Sequence, residues 1–210
     1  MCQSHDLTQS ITLRHHHCFL DNDQQTQQTH GIQHINSPLG QLQAQWILSD
    51  HAENLKPHSK PHSKQHWALC RLDFINAVYC QQTASPHIIN SIANPATELI
   101  EQMDNLEHQL RQYFTGHRQT FDIPLLLQGT VFQKRVWQEL QRIAYGQTIS
   151  YAKQALRIGK PTATRAVANA NGKNPISIII PCHRVIRSDG SLGGYTGGID
   201  KKQALLKIET

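Results

Sequence analysis

The chain has 210 residues, 38% of them hydrophobic and 17% charged, with a formal net charge of +5. That length allows a buried core in one or two domains, and no apolar run approaches the ~20 residues of a membrane helix. Residues 125–210 carry 13 Lys+Arg against 4 Asp+Glu, a net +9, while residues 1–124 are net −4, so the second half suits a polyanionic partner.

Met1 to Ser10 shows neither a basic patch nor an apolar stretch, so no secretory signal is expected. Cys2, Cys18, Cys70, Cys80 and Cys182 form no C-x-x-C pair. A reducing, cytoplasmic setting fits this usage better than a disulfide framework.

Residues 1–35 are rich in Gln and His and read as a polar, partly disordered lead-in. Cys2, Cys18 and His15 to His17 lack the spacing of a zinc site, so no metal is expected. Leu42 to Leu48 and Trp67 to Phe74 read as two strands. The KPHSKPHSK repeat at 56–64 between them reads as a flexible loop. Asn94 and Pro95 suit a helix start, and Leu99, Met103, Leu106, Leu110 and Tyr113 recur at helical spacing. Gly116 can end that helix. Phe121 to Leu127 reads as an extended linker, which sets a boundary at residue 124 between a part over 36–124 and a part over 125–210.

The second part opens on a capping box, Thr130 to Gln133, with Phe132, Val136, Trp137 and Leu140 as its apolar face. A short helix follows over Tyr151 to Arg157. Gly159 breaks the chain and Pro161 restarts it, with Ala163, Ala166, Val167 and Ala170 at helical spacing. Two helices around a glycine turn make a helix-turn-helix candidate, although the pattern alone favours an ordinary helical hairpin. The second helix is smooth with alanines, and Arg165 is its one long cation. Ile176 to Ile180 reads as a buried strand or extended segment leading into Pro181-Cys182-His183-Arg184. Gly190, Gly193, Gly194, Gly197 and Gly198 make a loop able to approach a ligand closely. Asp200 to Ile208 closes the chain as a helix with Leu205 and Leu206 inward.

Cys182 is the only cysteine of the basic half, and His183 its only histidine. A cysteine reacts as a thiolate, and an adjacent histidine can take its proton directly or through a water. A carboxylate commonly orients such a histidine. Glu139, Asp189, Asp200 and Glu209 are the candidates after residue 124, and spacing does not choose among them.

The run Asn174-Pro-Ile-Ser-Ile-Ile-Ile-Pro-Cys-His-Arg-Val185 resembles the active-site signature of the O6-alkylguanine-DNA alkyltransferases, the methylated-DNA–protein-cysteine methyltransferases. Gly146-Gln-Thr-Ile-Ser-Tyr151, Ala163-Thr-Arg-Ala-Val167, Gly193-Gly-Tyr-Thr-Gly-Gly198 and Leu205-Leu-Lys-Ile-Glu209 extend the resemblance over about 120–210. It implies an α/β fold: an N-terminal α/β domain with a small sheet, then a mostly helical domain with a winged-helix-like helix-turn-helix. It implies that Cys182 accepts an alkyl group and that His183 is the base acting through a water. Glu209 would orient His183, and Asn174 would brace the active-site turn. Tyr151 and Arg165 would help rotate the target nucleotide out of the duplex, with Arg165 filling the gap. Tyr195 and Thr196 would form the guanine pocket, and Arg184 is grouped with these DNA- and base-contacting residues.

The implied reaction is single-turnover transfer of an alkyl group from O6-alkylguanine, or O4-alkylthymine, in double-stranded DNA. It needs no cofactor, no membrane and no second subunit. The alternative is an alkyltransferase-like protein that binds lesions without transfer; in such proteins the acceptor cysteine is replaced, whereas Cys182 is present.

Overall fold

The computed structural model describes residues 19–23, 28–49, 66–75 and 95–210. Four strands, β1 (Phe19–Asp23), β2 (Gln28–Ser37), β3 (Gly40–Ser49) and β4 (His66–Phe74), form an antiparallel sheet in sequence order. The two strands expected from sequence are β3 and β4. Their inward residues, among them Leu42, Ala44, Trp46, Leu69, Leu72 and Phe74, are fully buried.

β1 and most of β2 fall within residues 1–35, the segment expected to be a polar, partly disordered lead-in. The inward set of β2 is Gly31, Gln33 and Ile35, so only one inward side chain is hydrophobic. Helix α1 (Pro95–Phe114) lies on that face: a Cβ at Gly31 would meet Leu99 at 2.7 Å, and Gln33 Nε2 donates to Met103 O at 3.0 Å. A glycine lets the helix approach, and a satisfied glutamine stands where an apolar residue would otherwise mark the strand. Asn94, the 56–64 loop, Cys2, Cys18 and His15 to His17 lie outside the described residues.

The second half contributes α2 (Val131–Leu140), β5 (Ile149–Ser150), α3 (Tyr151–Arg157), α4 (Thr164–Asn171), β6 (Val185–Ile186) and α5 (Ile199–Ile208). Thr130 and Gln133 form the capping box of α2, and the Ser150 hydroxyl caps α3 by accepting from Lys153 N. The pair α3–α4 is the expected helix-turn-helix. A buried amide pair sets it against α2: Asn171 Nδ2 donates to Gln154 Oε1 at 2.7 Å, and Gln154 Nε2 donates to Val136 O at 3.2 Å. Trp137 Nε1 donates to Ala170 O at 2.8 Å. Val167 and Ala170 therefore face inward, while Arg165, Ala166 and Asn169 stay exposed.

The second edge of β4 is filled by the other half of the chain. Leu69 N donates to Pro124 O at 2.8 Å, and Leu72 N donates to Pro175 O at 2.9 Å. The extended 121–127 segment and the cysteine-bearing segment thus dock on the sheet, and one hydrophobic core runs through both halves.

Candidate active site

Residues 176–180 depart from the expected strand. Only Ile176 bridges to Leu72, and the rest of the segment turns. Ile179 N donates to Ser177 O at 2.9 Å, which closes a three-residue turn around Ile178 at φ 72. Positive φ on a β-branched residue costs on the order of 1–3 kcal/mol and persists only where the surroundings enforce it. Asn174 supplies part of that enforcement. Its Oδ1 accepts from Ile176 N at 3.1 Å, and its Nδ2 donates to Ile180 O at 2.7 Å and to Cys182 Sγ at 3.2 Å. The bracing role implied for Asn174 has this geometry.

Cys182 begins a single 3₁₀ turn, Cys182–Arg184, and is 7% exposed. Burial pushes its thiol up to about 11, against the Asn174 bond and the nearby Lys202 charge, which both favour the thiolate. The group is therefore a thiol at neutral pH and needs a base.

His183, 0% exposed, is beside it in sequence. Burial pulls the imidazole below its ordinary 6.5, although Glu209 opposes this, so the ring is neutral at pH 7. His183 Nε2 lies 2.8 Å from Glu209 Oε1. A carboxylate can only accept, so Nε2 carries the proton and Nδ1 keeps its lone pair. Of the four carboxylates that spacing left open, Glu209 is the one that meets His183.

Glu209 is held from several directions. Arg184 donates to it through Nε at 2.8 Å and Nη2 at 2.9 Å, the Tyr113 hydroxyl at 2.7 Å and Gly146 N at 3.3 Å. Burial pushes its carboxyl up, but the bonds from His183 and Arg184 outweigh that and hold it at about 2. Gly146 is required here: its φ is 71, and a Cβ would lie 2.8 Å from Glu209 O.

A pocket of about 350 Å³ opens over Cys182, with Tyr151, Tyr195, Thr196, Asn171 and Gly172 in its wall. Tyr151, Tyr195 and Thr196 are thus brought to the cysteine as expected. Thr196 Oγ1 donates to Gly172 O at 2.9 Å, tying the glycine loop to the end of α4. Arg165 stands apart from the pocket, exposed on α4.

Arg184, expected among the DNA-contacting residues, has a buried side chain. It is 6% exposed, its Nη1 donates to Ile143 O at 2.6 Å, its other donors go to Glu209, and it stacks 5.8 Å from the Tyr145 ring centroid. A guanidinium so enclosed offers nothing to a phosphate; it neutralises Glu209 instead. Lys202 was not anticipated. It is 0% exposed, and its ammonium donates to Val185 O, Leu192 O and Gly194 O, which fastens the glycine loop beside Cys182. Burial lowers it to about 8. Its position three residues before Leu205, on the inward face of α5, was the available signal.

Residues 131–210 match the family model of the 6-O-methylguanine DNA methyltransferase DNA-binding domain. Methylated-DNA–protein-cysteine methyltransferases of Mycolicibacterium paratuberculosis and Methanosarcina barkeri are each 56% identical to the chain over 101 residues. That segment is 48% of this chain and spans 61% and 64% of those relatives. The crystal structure of Mycobacterium tuberculosis O6-methylguanine methyltransferase superposes with a TM-score of 0.62 at 38% identity, covering 86% of this chain and 92% of that one. The structure of Mycobacterium tuberculosis OGT in complex with DNA gives 0.61 at 38% identity, over 84% and 90%. This chain sets a helix-turn-helix beside a buried cysteine, with a small antiparallel sheet packed on the cysteine-bearing segment. The chain belongs to the O6-methylguanine-DNA methyltransferase family.

Proposed function

We propose that the protein repairs alkylated DNA by direct reversal, moving the alkyl group of O6-alkylguanine, or of O4-alkylthymine, onto Cys182. The observation that carries this reading is a buried thiol at a base-sized pocket, backed by a neutral histidine already oriented by a carboxylate. An alkyl group on a guanine oxygen is inside the base stack, so the nucleotide must first leave the duplex at a cost of a few kcal/mol. Arg165, exposed on the alanine-rich α4, fills the gap, and the +9 charge of the second half draws the phosphates.

In the pocket, Cys182 Sγ attacks the alkyl carbon while its proton passes through a water to His183 Nδ1. The carbon–oxygen bond breaks and a thioether forms. The departing guanine takes up one proton, donated by the Tyr151 hydroxyl and restored from the proton that left the thiol. Glu209 steadies the imidazolium that forms, and Arg184 and Tyr113 steady Glu209. The thioether is inert, so each molecule acts once, as a monomer on the DNA of the cytoplasm.

The reading is tested with a duplex containing O6-methylguanine. The expected result is loss of the lesion in proportion to protein added, abolished in Cys182→Ala while lesion binding survives. Tight lesion binding with a thiol unreactive toward free O6-benzylguanine contradicts it and indicates a lesion-binding protein without transfer.

A further inference from the structure

The end of β4 is built into the reaction centre. Leu72 exchanges two main-chain bonds with the cysteine-bearing segment, one to Pro175 O at 2.9 Å and one from Ser177 N at 2.7 Å. The next residue, Asp73, is buried, and its Oδ1 accepts the Ser177 hydroxyl at 2.9 Å. Its Oδ2 accepts Arg71 Nε at 3.1 Å. Ser177 immediately precedes Ile178, the residue at positive φ. The buried Tyr195 hydroxyl lies near the same Ser177, short of full hydrogen-bond geometry. Phe74, one residue further along β4, packs so tightly under the pocket loop that a Cβ at Gly197 would meet its ring at 2.8 Å.

A buried carboxylate needs a reason. Burial pushes Asp73 up to about 6, although Ser177 and Arg71 both favour its charged form. Its charge opposes ionisation of Cys182 and so does not assist the thiol. It also faces away from any phosphate contact, being enclosed between sheet and turn. What it does provide is an acceptor for Ser177, next to Ile178, the one non-glycine residue at positive φ among the described residues.

We propose that Asp73 is a positioning residue of the transfer site: by accepting the Ser177 hydroxyl it holds the turn at Ile178, and with it Cys182 and the Tyr195 side of the pocket, in the geometry for transfer. The N-terminal sheet is then part of the reaction centre. This rests on the alkyl-transfer reading above.

The test is single-turnover transfer from an O6-methylguanine duplex, as a function of full-length protein concentration, for wild type, Asp73→Ala, Asp73→Asn and Ser177→Ala. Asp73→Ala and Ser177→Ala are expected to lower the saturating rate roughly 10- to 100-fold and to leave the half-saturating concentration within about twofold. Asp73→Asn, whose amide oxygen still accepts from Ser177, is expected to restore most of the rate. A residue that only stabilised the fold would shift the melting temperature without this split or this rescue. Wild-type saturating rates in Asp73→Ala and Ser177→Ala overturn the proposal, as does an Asp73→Asn as slow as Asp73→Ala. Should Asp73→Ala not fold, Ser177→Ala decides by the same rate, since it removes a single oxygen. Wild type separates the two claims: no transfer by wild type overturns the alkyl-transfer reading, whereas transfer by wild type with equally fast variants overturns Asp73 alone.

Discussion

His183 Nε2 and Glu209 Oε1 stand 2.8 Å apart with both side chains sealed from solvent, and this contact decides which ring nitrogen can take a proton. Donation from Nε2 leaves Nδ1 as the base. The same carboxylate carries the Arg184 guanidinium, so one residue holds both the imidazole and a buried ion pair. Glu209→Gln should therefore fail twice. Transfer should fall by up to about 100-fold, because the His183 base is no longer oriented and its imidazolium no longer stabilised by a carboxylate. Stability at neutral pH should fall by roughly 3 kcal/mol, as expected when a buried pair loses one partner. Since the Glu209 pKa is depressed from 4.5 to about 2, its stabilisation is present above 4.5 and is lost as pH falls toward 2. Denaturant unfolding of wild type and variant should accordingly converge on acidification.

The pH dependence of transfer separates a base-assisted thiol from a free thiolate. With the thiol at about 11 and the imidazole below 6.5, the rate should change far less than tenfold per unit from pH 7 to 9, where only Lys202 at about 8 titrates beside the thiol, and decline below 6.5. A rate rising about tenfold per unit through that range would mean that the thiolate reacts unassisted. His183→Ala should convert the first profile into the second, at a much lower rate.

The two arginines should separate cleanly. Arg165→Ala should slow transfer from duplex DNA roughly tenfold, because base extrusion costs a few kcal/mol, and should leave transfer from free O6-benzylguanine unchanged. Arg184→Met should instead lower the melting temperature and leave the salt dependence of DNA binding as it was, because its charge is already matched by Glu209.

Gly146→Ala should destabilise by about 1–2 kcal/mol or more, from left-handed backbone alone, since the added methyl also meets Glu209 O. Denaturant midpoints would measure it, and a silent substitution would contradict the local geometry.

The second half was the more legible part of the chain because its signals are local. The Thr130–Gln133 box, the Gly159 break and the periodicity around Val167 each specify their element with nearby residues, and each element forms as expected. The strand Gln28–Ser37 was hidden because Gly31 and Gln33 face inward, satisfied by a helix some 70 residues later. The burial of Arg184 and of Lys202 was not legible, for one physical reason. A cation in sequence reads as solvent-facing, and only the fold supplies the carboxylate or carbonyls that let it be buried. Asp73 was illegible in the same way, since Ser177 is 104 positions away. Cys182, His183 and Asn174 were legible because their partners lie within the same short motif, apart from Glu209.

The central claim is that the alkyl group ends on one sulfur. Protein incubated with excess O6-methylguanine duplex, then digested and analysed by mass spectrometry, should show one added methyl group on the peptide carrying Cys182 and on no other. An unshifted Cys182 peptide, or methyl on another cysteine with the lesion removed, would contradict the account.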